Sequence, residues 1–158
     1  MADVFSKAKR SEVMSRIRSR GNQATEVVLA RLLRAHGITG WRRHLQLKIK
    51  NSKLKIPKPT PRLQTPDPRP FLVRPDFVFP RRKLAVFVDG CFWHGCPRHG
   101  TQPQGNRAFW RKKFATNRAR DRRVNRALRA TGWRVLRIWE CTLKKRPFKC
   151  VERIRKNF

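Results

Sequence analysis

Apolar residues along the chain fall into helical and strand-like spacings separated by basic stretches. From Asn22 the run QATEVVLARLLRAHG sets Leu29, Leu32, Leu33 and His36 at helical intervals, with Glu26 at the margin of the stripe, and Gly37 follows. Side chains three and four apart share a helix face, so this pattern predicts an amphipathic helix capped by Asn22 and ended by Gly37. Residues 41–47 read as a strand. RPDFVFP and, after Arg81 and Arg82, LAVFV predict a hairpin of two buried strands. From Arg107 to Ala130 the spacing returns to helical: at about 100° per residue, Trp110, Phe114, Asn117, Asp121, Val124 and Leu128 fall in one narrow arc, with Gly132 closing the helix. WRVLRIWE then predicts a strand rich in β-branched and aromatic residues, and the tail from Phe148 a short helix.

Two segments lack this patterning. Residues 1–20 are basic and short of large apolar groups, an arm with Ser11 as N-cap of a short helix ending near Gly21. Residues 48–70 hold six of the eleven prolines and almost no acid, which predicts a basic extended loop. No internal repeat is visible. The order helix, strands, long helix, strand predicts one α/β domain over residues 1–158, a mixed central sheet flanked by helices.

Composition sharpens the functional question. At 158 residues the chain can bury a core without disulfides. Lys+Arg 41 against Asp+Glu 9 gives a net charge of +32, and so self-repelling a chain calls for a polyanionic partner, with nucleic acid the leading candidate. An acidic membrane surface is the rival reading. No apolar run approaches the roughly 20 residues of a spanning helix, and MADVFSKAKR does not read as a signal peptide, so the expectation is a soluble cytoplasmic protein without membrane association. The four cysteines are then metal ligands or free thiols rather than a disulfide framework.

Among so many cations the acids are informative. Pro75-Asp76 heads one strand and Asp89 ends the next, and antiparallel neighbours bring both carboxylates to one sheet edge. Phosphodiester hydrolysis needs a hard cation held by such oxygens, although from the PD pair alone the simpler account is that Asp76 caps a turn and Asp89 begins one. PD followed at this distance by an acid resembles the outline of the PD-(D/E)xK nucleases, but the lysine usual there is missing, since the chain reads Asp89-Gly90-Cys91. On the long helix Asn117 and Asp121 lie inside the apolar stripe. A buried carboxylate needs a partner, here a histidine or one of the many arginines. Glu26, at a stripe margin, reads as solvated.

DGCFWHGCPRHG supplies Cys91, Cys96 and His99, and Cys141 follows the last strand. Four nitrogen and sulfur ligands make a closed, structural zinc site, with Cys150 the alternative to His99. His94 is left over inside the loop, near two aspartates, and is a candidate general base or acid. Phe92, Trp93 and Trp110 either cover the metal loop or wedge between base pairs, and the residues by themselves favour covering.

Taken together, MADV and KAKRSEVMSRI, RPDFVFP, FVDGCFWHGC, FWRKKFATNRARDRR and GWRVLRIWEC resemble the very short patch repair (Vsr) mismatch endonucleases, a branch of the PD-(D/E)xK superfamily. The resemblance runs over most of the chain. It implies a restriction-endonuclease-like fold and a magnesium-dependent nick 5′ of the thymine in a T:G mismatch left by deamination of 5-methylcytosine. It implies Asp76 and the Val88 carbonyl as Mg²⁺ ligands, His94 as catalytic histidine supported by Asp121, Glu26 as an acid near the metal waters and Asn117 as a polar site residue. It assigns Cys91, Cys96, His99 and Cys141 to zinc, and makes Phe92, Trp93 and Trp110 the wedge beside the mismatch, reversing the preference for packing. Asp89 stands where better-known members carry histidine, as an additional metal ligand or a sign of altered metal geometry, and the 48–70 stretch is longer than the turn expected there. A monomer acting on duplex DNA near the nucleoid, alongside mismatch-repair factors, is the implied setting. The alternative is a zinc-stabilised DNA-binding module that has lost catalysis; an RNA-binding protein of ribosomal type explains the charge but neither the PD strand nor His94.

Overall fold

A computed structural model describes residues 23–49, 71–100, 103 and 105–158. The basic arm, the caps at Ser11 and Asn22 and residues 50–70 lie outside the described residues. A π-helical turn, Gln23–Val27, leads into α1 (Val28–Ala35), and the chain leaves α1 through Gly37 at φ 66°. Then come β1 (Arg42–Arg43), β2 (Leu47–Ile49), β3 (Phe71–Val73), β4 (Phe77–Phe79), β5 (Leu84–Asp89), the long helix α2 (Arg107–Ala130), β6 (Arg134–Trp139), α3 (Glu140–Lys145) and α4 (Pro147–Arg155).

The central sheet has the order β1-β4-β5-β6. β4 and β5 form the predicted hairpin, joined by a 3₁₀ turn at Pro80–Arg82 and by Lys83 in the left-handed region. β5 and β6 run parallel from Leu84↔Arg134 to Asp89↔Trp139. Parallel neighbours need a crossover, and α2 is that crossover. The sheet is therefore mixed, as expected.

Strand periodicity divides β5 and β6 between two layers. Leu84, Val86, Leu136 and Ile138 pack against α1 and α4 with Leu29, Leu33 and Ile154. Ala85, Phe87 and Val135 turn to the opposite face, against Ala127, Leu128 and Val124 of α2. Alternation along the strand then directs Asp89 and Arg137 toward α2 as well, to the face that carries the polar residues of the site.

Several elements depart from the sequence reading, β3 among them as a strand it did not expect. The strand at 41–47 is broken at His44, whose φ of 52° turns the chain, so Arg42–Arg43 pair with β4 while Leu47–Ile49 pair with β3 in a separate two-stranded sheet. Lys48 and Ile49, the first residues of the proline-rich segment, thus belong to β2, with Ile49 buried. The expected helix begins with a π turn, which shifts the angular frame and defeats the 100° arithmetic at Glu26. α3 was not anticipated; it starts at Glu140, the last residue of the segment read as a strand.

Candidate active site and metal centre

A cleft of about 830 Å³ opens where β5 ends, lined by Glu26, Asp76, Asp89, His94, Asp121 and Arg137 among others. Asp76 stands before β4, behind the buried Pro75, and its Oδ2 accepts the Val88 N–H at 2.7 Å across the hairpin. Burial pushes the Asp76 carboxyl up to about 6; the Val88 bond opposes this, Glu26 and Asp89 add to it, and Arg137 relieves part of it. Glu26 is only 5% exposed, so the solvated reading is wrong. Its Oε2 accepts from Arg43 Nη2 at 2.7 Å and lies 2.9 Å from His44 Nε2. The bend that breaks the predicted strand is what turns His44 here, and its backbone N–H donates to the Asp76 carbonyl at 3.3 Å.

Glu26, His44 and Asp76 each offer a ligand atom within 4.8 Å of the others. Two carboxylates and an imidazole suit a hard or borderline divalent cation, and a cation beside Asp76 would offset the burial and the neighbouring negative charge that hold its carboxyl high. The donor set fits such an ion. Asp89 is not in this group.

Asp89 instead belongs to a second network. Both its oxygens accept from Arg137, Oδ2 from Nε and Oδ1 from Nη2, each at 2.7 Å. Arg137 Nη2 also lies 3.0 Å from Asp121 Oδ1, and Nη1 donates to Asn125 Oδ1 at 3.1 Å. The other Asp121 oxygen meets His94 Nδ1 at 2.6 Å, while Asp89 Oδ1 is 3.6 Å from the same nitrogen. The partner required by helix arithmetic is thus both a histidine and an arginine. Burial works to raise the Asp121 pKa, yet the His94 bond and the nearby Arg137 and Arg120 hold it below the ordinary carboxylate value. Burial likewise works against the Arg137 charge, and its bonds to Asp89 and Asp121 overcome it.

Beyond β5 the chain coils tightly, with Cys96 N–H donating to the Cys91 carbonyl at 2.9 Å and Gly100 N–H to the Cys96 carbonyl at 2.7 Å. A Cβ at position 100 would sit 2.6 Å from that carbonyl oxygen, so the turn requires glycine. Cys91, Cys96, His99 and Cys141 place their ligand atoms within 4.8 Å of one another. Cys96 Sγ is 3.8 Å from Cys141 Sγ and 3.9 Å from His99 Nδ1. Ligands about 2.3 Å from a common centre at tetrahedral angles lie about 3.8 Å apart, so the set fits a zinc ion. Burial works to raise the Cys96 pKa, but the N–H groups of Arg98 and His99 draw it down to about 6, whereas burial pushes Cys91 up to about 12. Glu140 Oε2 accepts the Cys91 N–H at 3.3 Å and ties α3 to the loop. Cys150 lies fully buried in the apolar core beside Val151 and Ile154, apart from this set.

Phe92 packs edge-on against Trp93, Trp110 and Phe114, with centroids 5.1, 5.2 and 5.4 Å away. Trp110 is largely buried, while Phe92 and Trp93 line the cleft. Asn117 Nδ2 donates to the Trp93 carbonyl at 2.8 Å, which explains a buried amide within the helix stripe.

The structure therefore gathers every site residue expected from the sequence around this one loop and cleft. Sequence reasoning missed His44, Arg43, Arg137, Asn125 and Glu140. Only Arg137 carried a usable signal, as a charged residue between the apolar Leu136 and Ile138 in the middle of a strand.

No helix among the described residues is long and apolar enough to cross a membrane. The family model for the DNA mismatch endonuclease Vsr matches residues 2–49 and 68–99, which include Glu26, His44, Asp76 and the turn from Asp89 to His99. The nicking enzyme V.NaeI of Lentzea aerocolonigenes is 59% identical over 68 residues, 43% of this chain and 41% of that protein. The chain spans about half the length of several curated relatives it matches. The nicking enzyme V.NmeAIP of Neisseria meningitidis serogroup A is 32% identical over 98% of this chain and 92% of its own length. The DNA mismatch endonuclease Vsr of Escherichia coli K12 is 35% identical over 147 residues, 92% of this chain and 78% of that protein. Matched by the family model over half its length and by full-length relatives over nearly all of it, the chain belongs to the Vsr family of DNA mismatch endonucleases.

Proposed function

We propose that this protein is a divalent-cation-dependent DNA endonuclease that nicks one strand of a duplex on the 5′ side of the thymine in a T:G mismatch. The observation that carries this reading is the convergence of Asp76 and the His94–Asp121 pair on one cleft at the end of β5. A nicking activity also agrees with the names of the relatives.

Asp76, with the Val88 carbonyl and with Glu26 and His44 beside it, would hold the cation, expected to be Mg²⁺. When bound, the ion supplies Lewis-acid stabilisation of the charge that develops on the phosphate. Asp121 accepts a hydrogen bond from the His94 Nδ1–H, which leaves the unprotonated Nε2 free to take a proton from the attacking water as its oxygen bonds to phosphorus and the P–O bond to the leaving strand end breaks. Asp121 keeps the ring in this tautomer and orientation. Asn117 holds the Trp93 carbonyl and so the loop that carries His94. Phe92 and Trp93, with Trp110 behind them, are the wedge that opens the stack beside the mismatch. The exposed Arg111, Lys112, Lys113, Arg118 and Arg122 of α2 give the backbone phosphates a basic surface. Zn²⁺ at Cys91, Cys96, His99 and Cys141 is structural. We further expect a cytoplasmic monomer acting with mismatch-repair factors.

The test is nicking of a T:G duplex against its matched control in Mg²⁺, by wild type and by Asp76→Ala. Cleavage of the mismatched duplex that is lost in the variant is the expected result. No cleavage by wild type, or equal cleavage by the variant, overturns the reading; tight binding without turnover would instead identify a DNA-binding module.

A further inference from the structure

Asp89 and Asp121 are two carboxylates on different elements, both near His94 Nδ1, at 3.6 and 2.6 Å. What separates and fixes them is Arg137. Its stem lies in the α2-facing layer of β6, and its guanidinium carbon stands 4.8 Å from the centroid of Phe87, the residue paired with it on β5. The side chain is about one-fifth exposed, so these bonds form largely away from water. Three of its nitrogens meet four acceptor contacts: Nε and Nη2 on Asp89, Nη2 on Asp121, Nη1 on Asn125. A planar fork with donors on two edges can do this, whereas a lysine ammonium has neither the plane nor the spacing.

We propose that Arg137 is the positioning residue of the cleft: its guanidinium engages both Asp89 oxygens and fixes Asp121 so that His94 is held by Nδ1 and presents Nε2 to the substrate. Asp89 is thereby a structural anchor for the guanidinium rather than a ligand of the cation, which is left to the Glu26, His44 and Asp76 side of the cleft. Asn125, one turn beyond Asp121 on α2, closes the fourth contact and locks the guanidinium plane. The catalytic part of this inference rests on the nicking activity proposed above.

Arg137→Met keeps an apolar stem over Phe87 and removes the fork; Arg137→Lys keeps the charge. Single-turnover nicking of a T:G duplex by Arg137→Met should fall by about 100-fold or more, the scale of a misplaced general base, with the duplex Kd within about threefold of wild type. Arg137→Lys should remain at least about tenfold below wild type, because charge without the fork does not orient Asp121. The ¹⁵N signals of the His94 imidazole, read without DNA or added cation, should show Nδ1 protonated in wild type and a mixture of tautomers in Arg137→Met. Mn²⁺ binding, followed by its paramagnetic signal, should be weakened less than about threefold by Asp89→Asn. A folded Arg137→Met with a wild-type nicking rate and an unchanged His94 signal would overturn the positioning role, and loss of Mn²⁺ binding in Asp89→Asn would overturn the anchor assignment. If Arg137→Met fails to fold, the rate and imidazole signal of Arg137→Lys decide, and wild-type values for both defeat the proposal. A wild type that never nicks defeats the activity reading alone, since the imidazole and Mn²⁺ measurements still test the clamp.

Discussion

Cys91, Cys96 and His99 come from nine consecutive residues and take only Cys141 from elsewhere, whereas Glu26, His44 and Asp76 come from a π-helical turn, a bend and the lead-in to β4. Both clusters bring three or four donors within 4.8 Å, at neighbouring places beside the end of β5. The sulfur set is local, held by hydrogen bonds inside one turn and by the tie from Glu140 to Cys91. The oxygen-rich set exists only once α1, the bend at His44 and the β4–β5 hairpin have packed together. A soft cluster that folds with its own loop suits a structural ion; a hard cluster whose carboxylate carries a burial cost suits an ion that arrives with substrate.

The largest effect that would test this contrast is on the sulfur side. With the zinc proposed for this site bound, Cys141→Ala should lose it and lower the thermal midpoint by about 10 °C or more, because closed zinc sites contribute directly to folding and each kcal/mol is worth about 2–4 °C in a domain of this size. Metal content and a melting curve check it; a wild type without zinc, or a variant with an unchanged midpoint, breaks the comparison.

On the oxygen side the expectation is reversed, with activity lost and stability gained. Asp76→Asn should lower nicking by about 1000-fold, several kcal/mol of transition-state stabilisation. Its effect on stability follows from the raised carboxyl. Between the ordinary value of 3.8 and about 6 the folded wild type holds a proton that the unfolded chain has released, so stability falls as pH rises through that window. The loss persists above it, on the order of 2–3 kcal/mol in protein without added divalent cation. Asp76→Asn should therefore flatten the stability profile between pH 4 and 6 and be the more stable protein at pH 7. Parallel profiles for the two proteins in denaturant titrations would contradict this.

Two smaller effects sharpen the boundary between the regions. Asn117→Ala leaves the Trp93 carbonyl without its donor and should cost about 1–2 kcal/mol, with nicking reduced less than about tenfold. Equal stability in a chemical melt would show that the loop does not depend on this bond. Cys150→Ala should cost only about 1 kcal/mol as a small cavity and retain full zinc content, because Cys150 packs in the core. Zinc loss in that variant would move Cys150 into the metal set.

The same contrast explains what could be read in advance. α2 ran from Arg107 to Ala130 as its periodicity predicts, since twenty-four residues of consistent spacing leave little room for another structure. The β4–β5 hairpin and the strand β6 were equally plain from apolar runs bounded by turn residues, whereas the parallel pairing of β6 with β5 came only with the fold. Asp121 declared itself as an acid in an apolar stripe, and the loop with the candidate Cys3His set by its residue types. Glu26 misled because a π turn changes the angle per residue. Residues 41–47 misled because residue types alone do not reveal that His44, at their centre, takes a left-handed conformation.

By itself, then, the sequence determined the long helix, the hairpin strands, the candidate ligand types and the need for a partner at Asp121, because these depend on spacing along the chain and on the cost of burying charge. Only the tertiary structure decided which partner each group found. It brought His44 to Glu26 through the bend after β1, seated Cys150 in the core, and set Arg137 between Asp89 and Asp121. Those choices depend on which strands pair and which face each residue takes, and a single residue of register moves a side chain to the opposite face of the sheet.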